Sequence, residues 1–544
     1  MSRRRIALAA ACAVGLTLPF VLLPGASAAP LAGAHDTTSP YGPFGFTTKG
    51  LGKTGSYGEP SLAVAPDGRH VVTSTPGCAG VCYWYSADNG ATWKTTETSG
   101  GGGDSELDFL PDGTLVSADL AVQNSVMHRS FDFGKTWEAD GTAGSEQDRQ
   151  WLGHSPNATR KGGTLYLAYH DFVAEAEFIA TSKDGGKSWT TGATNEIVVN
   201  SAAQFAATPA GVGCTAGNTS SLVDQGVNTF SGPILVDRNG KDIYVLYSIS
   251  DVQSNIDPTS GVPPFGPTRA IVVAHSGDAG ATWTNRYVVC ADLAIPPSQE
   301  TTNGAIFPWG FLDPSGTVYV VYNSTHGEEG TQHFHQYYVY SKDKGATWSK
   351  PVRLDTGLAM AKGASVYATG APARSGTIDV AWYQTDNGDP SNDNSTWVPH
   401  FAQVTGADTG SPHITQQAIV TIPNHKGGIC LQGILCGVAP GSADRSLADF
   451  FELAVNPKTG LAGIAYADNN RLGTDSKGNK VGEVVYAAQT SSNPSVSTCS
   501  CKPPTRAKAT GTGLAATGMS SLVGIAALAL LVAAYVVRRK QRSP

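Results

Sequence analysis

From residue 59 to residue 490 the chain repeats one hydrophobic rhythm: a short apolar run, a tight polar turn, a denser apolar run, a third run and a polar octapeptide. The opening pairs read EPSLAVAPDGRHVVTS (Glu59 to Ser74), DSELDFLPDGTLVSAD (Asp104 to Asp119), PILVDRNGKDIYVLYS (Pro233 to Ser248) and FPWGFLDPSGTVYVVYNS (Phe307 to Ser324). Short runs rich in Val, Tyr and Leu, broken by PDG, DRNG or DPSG, are strands joined by tight turns. Three further units begin at Asp148 (DRQWLGHS), Val366 (VYATGAPARSG) and Phe450 (FFELAVNPKTG). Seven units of about four strands predict an all-β protein, a β-propeller of four-stranded antiparallel blades. Seven blades are favoured; six result if one unit is an irregular insertion. The last unit lacks a fourth strand, and Phe44 to Lys49 is placed to supply it and close the ring.

The octapeptide is S-x-D-x-G-x-x-W. It occurs as SADNGATW from Ser86, SFDFGKTW from Ser130, SKDGGKSW from Ser182, SGDAGATW from Ser276 and SKDKGATW from Ser341. The Asp accepts hydrogen bonds from amides of its own turn, the Gly takes a positive φ, and the Trp starts the next strand and buries an apolar face. This pattern resembles the Asp-box (BNR repeat) of the sialidase family and related propellers. The resemblance implies that each box joins the third and fourth strands of a blade, away from any active site. Asp88, Asp132, Asp184, Asp278 and Asp343 are then structural.

First-to-second-strand turns are short, whereas the second-to-third connections at 249–267, 323–335 and 384–396 are long, as are the links at 192–226 and 406–446. Both long types fall at one end of a four-stranded blade, and long loops on a rigid scaffold carry function. Alignment on the turn glycines puts Glu59, Asp104 and Asp148 at equivalent inner-strand starts, with Glu106, Asp449 and Glu452 nearby. Such carboxylates suit acid/base work on a glycosidic bond, the holding of Ca²⁺, or simple capping of loop amides. His326, Glu328, Glu329, His333 and His335 crowd one loop and read as a solvated cluster, so no metal ligand set and no required cofactor is assigned.

In sialidases the first blade opens with F/Y-R-I-P, whose Arg binds the substrate carboxylate. The matching stretch here is Tyr57-Gly58-Glu59-Pro60, with Gly58 in place of the Arg. The resemblance implies a nucleophilic Tyr nine residues before a late turn Gly, and Tyr367 stands nine before Gly376. Arg149 is the Arg at an inner-strand start, hence the candidate anion binder. An arginine triad is not assembled.

The two ends change the picture. Arg3 to Arg5, an apolar run and Ala26-Ser27-Ala28 form a signal peptide over residues 1–28. Residues 29–490 are the propeller and the Ser/Thr/Pro-rich 491–513 a wall-spanning linker. Residues 514–544 hold Leu514-Ala515-Ala516-Thr517-Gly518, an apolar span and a basic tail. This order resembles the sorting signal of Gram-positive wall proteins in its LAxTG form, which implies sortase cleavage between Thr517 and Gly518 and linkage to peptidoglycan. A plain membrane anchor fits the span alone. The ends carry seven positive charges and no acids, so the region between them holds a net charge near −14 against −7 overall. That acidity argues against a nucleic-acid partner. Outside the signal, eight cysteines enter an oxidising compartment. Cys78 with Cys82 and Cys430 with Cys436 are close enough to bridge, Cys499 and Cys501 sit in the linker, and Cys214 with Cys290 remains by elimination. The expectation is a wall-anchored, sialidase-like propeller binding extracellular glycans or other surface ligands. The alternatives are a glycoside hydrolase using Glu59, Asp104, Asp148 or Tyr367, and an adhesion scaffold for proteins.

Overall fold

A computed structural model describes residues 37–39, 42–54, 57–78, 80–121, 123–171, 176–190, 197, 211–214, 227–252, 265–290, 307–325, 333–356, 363–431 and 444–491. Seven antiparallel sheets follow one another along these residues. Their inner strands are Ser61–Val64, Ser105–Phe109, Gln147–His154, Val227–Val236, Trp309–Leu312, Ser365–Arg374 and Glu452–Val455. Each packs on the next, and the seventh returns to the first. The fold is a seven-bladed β-propeller. Blades 1, 2, 4 and 5 have four strands, blades 6 and 7 five, and blade 3 shows three among the described residues.

The second strand of a blade is covered on both faces by its neighbours. Leu165–Asp171, Val318–Ser324 and Ala462–Asp468 are buried at every position, which is why they read as continuous apolar runs rather than as an alternation. Ring closure follows the expected scheme. Gly45–Lys53, from the N-terminal side, pairs with Glu483–Ser491 in blade 7, and Thr37–Ser39 adds an outer strand.

All five octapeptides adopt one hydrogen-bonded turn. The Ser hydroxyl donates to the Asp and accepts the Gly amide, as in Ser86 Oγ to Asp88 Oδ1 at 2.8 Å and Gly90 N to Ser86 Oγ at 2.8 Å. The Asp then accepts both the amide and the hydroxyl four residues on, at Thr92, Thr136, Ser188, Thr282 and Thr347. The residue before the Gly is left-handed in every copy, and in four it is not a glycine (Asn89, Phe133, Ala279, Lys344). In three of these it reaches the blade before. Asn456 Nδ2 of blade 7 donates to Asn89 Oδ1 at 3.0 Å, Phe133 stacks on His70 of blade 1 at 3.7 Å, and Lys344 Nζ meets Asp242 Oδ2 of blade 4 at 2.7 Å. The turns thus latch blades together. Their tryptophans are only half-buried; Trp93 folds back to donate to Gly90 O at 2.8 Å.

Disulfides Cys78–Cys82 and Cys214–Cys290 form as expected. Cys430 is disulfide-bonded, while Cys436 lies outside the described residues. So do the expected signal peptide, the expected linker beyond Ser491, and Thr517 and Gly518 with the apolar span that follows. Among the described residues no helix is long and apolar enough to cross a membrane.

Candidate functional site at the channel mouth

The inner strands start at the end of the ring opposite the octapeptide turns, and there Glu59, Asp104, Asp148 and Tyr367 come together with Asp449 and Arg445. Three of the inner strands approach the mouth through left-handed residues: Glu59 at φ 56°, Arg149 at 55° and Tyr367 at 56°. At Arg149 and Tyr367 the ladder register shifts, between Asp148 and Gln150 and between Val366 and Thr369. Bulges of this kind re-aim side chains at the rim of a sheet.

The guanidinium at the mouth is Arg445. Its Nη2 lies 3.1 Å from Glu59 Oε1 and 2.8 Å from Asp449 Oδ2. Glu59 and Asp449 are buried, and the Arg445 side chain is 29% exposed. Burial pushes the Glu59 carboxyl well above the usual carboxylate range; the charge of Asp104 adds to this, against the pull of Arg445. Glu59 and Asp104 share a carboxyl–carboxyl hydrogen bond. Asp148 is pushed up to about 6 by burial and by Asp104, with His170 opposing. Burial, followed by the charge of Asp449, also raises the Tyr367 hydroxyl, which donates to Cys430 O at 3.3 Å.

One layer deeper, Arg149 is fully buried. Its Nη2 lies 2.7 Å from Glu106 Oε2 and 3.3 Å from Glu452 Oε1. The guanidinium lies over the rings of Trp151 at 3.8 Å and Phe450 at 4.0 Å, which are tilted 54° to each other. Glu452 Oε2 accepts Leu62 N at 2.6 Å and Ser61 Oγ at 3.0 Å. This cage ties blades 1, 2, 3 and 7 around the axis and leaves Arg149 no exposed face for a ligand. Burial, then the charge of Glu452, pushes the Glu106 carboxyl well up despite Arg149.

Gly58, at the position of the sialidase arginine, has no room for a side chain: a Cβ there would lie 2.5 Å from Ala448 Cβ. Sequence reasoning missed Arg445. The available signal was DRSLAD (Asp444 to Asp449), which sets Arg445 and Asp449 four residues apart just before the last inner strand. His333 and His335 have ring centroids 4.6 Å apart, and His335 Nδ1 lies 2.8 Å from Asp355 Oδ2; His326, Glu328 and Glu329 lie outside the described residues. Among the described residues no group of three or more His, Cys, Asp or Glu side chains is arranged to hold a metal ion.

No protein-family model matches the chain, and no curated protein matches it. Fold comparison finds distant likenesses to solved structures. One is an α-L-arabinanase of Penicillium chrysogenum complexed with arabinobiose, 16% identical over 70% of this chain and 92% of that one, TM-score 0.36. Another is an ulvan lyase of polysaccharide lyase family 25, 10% identical over 70% and 96%, TM-score 0.38. A third is the NanB sialidase of Streptococcus pneumoniae, 10% identical over 81% and 69%, TM-score 0.35. What fold and site define is a seven-bladed propeller with a carboxylate-rich channel mouth.

Proposed function

We propose that this is a surface-displayed glycan-binding propeller whose ligand, at the channel mouth, is an uncharged or amine-bearing sugar. The observation that carries this is the charge balance there. Four carboxyl side chains (Glu59, Asp104, Asp148, Asp449) surround one guanidinium, Arg445, which Glu59 and Asp449 already share. A carboxylate-bearing sugar meets repulsion at such a mouth, whereas sugar hydroxyls and amines find acceptors. The test is an array of neutral, amine-bearing and sialylated glycans probed with the purified protein. Selective binding of sialylated glycans, or no binding by any class, overturns the reading.

Hydrolysis of the bound glycan is the second reading. It is favoured by Glu59 and Asp148, two carboxyls raised by burial in one site, where a carboxyl can carry a proton for general acid/base work. Release of new reducing ends that is lost in Asp148→Asn establishes it.

The protein's place on the cell follows from its ends. LAATG, the apolar span and the basic tail support sortase cleavage after Thr517 and covalent linkage to peptidoglycan. Muralytic enzyme, not detergent, then releases the protein, and Thr517→Ala moves it to the membrane or the medium. Unchanged wall linkage in that variant refutes sorting.

A further inference from the structure

A row of ionisable side chains crosses blade 3 outward from the mouth. Asp148 of Gln147–His154 is the direct cross-strand partner of His170 of Leu165–Asp171. His170 is in turn the cross-strand partner of Glu177 of Ala176–Ser182. Direct partners share one face of a sheet with their side chains adjacent, so the three stand side by side.

The outer two are sealed from water. His170 is 3% exposed and Glu177 0%. His170 Nδ1 lies 3.6 Å from Glu177 Oε1 and 3.1 Å from Thr229 Oγ1, and the ring of Phe230 packs 5.9 Å from the imidazole. Among the described residues neither oxygen of Glu177 has a hydrogen-bond partner. A carboxylate so placed is costly unless a cation stands beside it, and His170 is the basic group within ion-pair reach of it. From blade 4 the facing groups are Thr229, Phe230 and Tyr247, whose hydroxyl feels the charge of Glu177. At the other end of the row Asp148 faces Asp104, Asp449 and Arg445.

We infer that His170, backed by the buried Glu177, is a positioning residue that keeps the neighbouring Asp148 carboxylate charged and in place at the channel mouth. The inference rests on the mouth being the ligand site. It adds that two residues with no access to ligand decide over which pH range Asp148 serves as an acceptor. The sign follows from electrostatics: His170 favours the Asp148 anion against burial, so its loss moves the proton equilibrium of Asp148 upward.

The experiment compares wild type, His170→Gln and Glu177→Gln by carboxyl-carbon NMR titration of the purified protein without ligand. Asp148 is assigned as the signal lost in Asp148→Asn. In both variants its midpoint, about 6 in wild type, rises by about half a pH unit or more. The pH profile of glycan retention moves in the same direction as Asp148. Folded variants whose Asp148 midpoint stays at the wild-type value overturn the inference, even where glycan binding stands. If no glycan binds any form, the proposed function fails while the NMR result still decides the role of His170. Should His170→Gln not fold, Glu177→Gln alone gives the same decision.

Discussion

Arg445 Nη2 lies 3.1 Å from Glu59 Oε1 across 386 residues of chain. The same guanidinium holds Asp449 with 2.8 and 3.2 Å contacts, so one side chain from the loop before blade 7 neutralises the entry to blade 1. Its removal leaves two buried carboxylates unpaired. Arg445→Met is expected to cost about 3 kcal/mol at pH 7.5. Without Arg445 the Glu59 carboxyl takes up a proton more readily, so part of the lost stability returns by pH 5. Melting curves at the two pH values check this, and a deficit of equal size at both would show that the pairing contributes little.

Asp379 in blade 6 is expected to set part of the pH dependence of stability. It is fully buried, accepts Gln403 Nε2 at 2.9 Å on one oxygen, and among the described residues has no hydrogen-bond partner on the other. Burial pushes it up to about 7 from 3.8. An acid raised on folding supports the native state below its unfolded value, and that support is lost as pH climbs through the folded value, here between about 4 and 7. Asp379→Asn keeps the acceptor for Gln403 and removes the charge. It should raise stability at pH 8 by on the order of 3 kcal/mol and change little at pH 4. Denaturant titrations at both pH values measure it; no gain at pH 8 would place the Asp379 proton equilibrium lower than stated.

The octapeptide turns stabilise without touching the mouth. Asp184 accepts Ser182 Oγ and Ser188 N, both at 2.9 Å, and Ser188 Oγ at 2.5 Å. Asp184→Ala leaves those donors to water and costs on the order of 1–3 kcal/mol. The melting temperature falls while glycan affinity stays near wild type. Lost affinity at unchanged stability would mean that the turns, not the opposite end of the ring, carry the site.

The blade plan was legible because five turns spell it out in consecutive residues, and because a strand covered on both faces must be apolar throughout. The mouth residues were legible for a related reason: alignment on the turn glycines puts Glu59, Asp104 and Asp148 at equivalent inner-strand starts, and Tyr367 stands nine residues before Gly376. Counting fails where a bulge intervenes. The left-handed residue at Arg149 puts neighbouring side chains out of alternation, so Asp148 stays at the mouth while Arg149 turns into the axial cage of Trp151, Phe450, Glu106 and Glu452. Nothing local in DRQW announces a bulge at a non-glycine residue. Arg445 was hidden by distance along the chain, since its partner Glu59 lies in the first blade and only ring closure brings the two together.

Ordinary α-sialosides are expected to be poor substrates. A sialoside presents a carboxylate, and a site for it needs guanidinium groups free to donate in pairs. Gly58 supplies none, and a side chain there would collide with Ala448. Arg149 is enclosed by Trp151 and Phe450 and held by Glu106 and Glu452. Arg445 is shared by Glu59 and Asp449. Each missing charge-assisted contact costs about 1.5–3 kcal/mol, roughly a ten- to hundredfold loss of rate per contact. Tyr367 does not compensate, because burial and the Asp449 charge hold its hydroxyl protonated far above neutral pH and its proton goes to Cys430 O. Release of a fluorogenic sialic acid by the purified protein is the measurement. Turnover at the level of a working sialidase, abolished by Tyr367→Phe, would show that the mouth rearranges to free Arg445 for the substrate; background release, unchanged by that substitution, is the expected result.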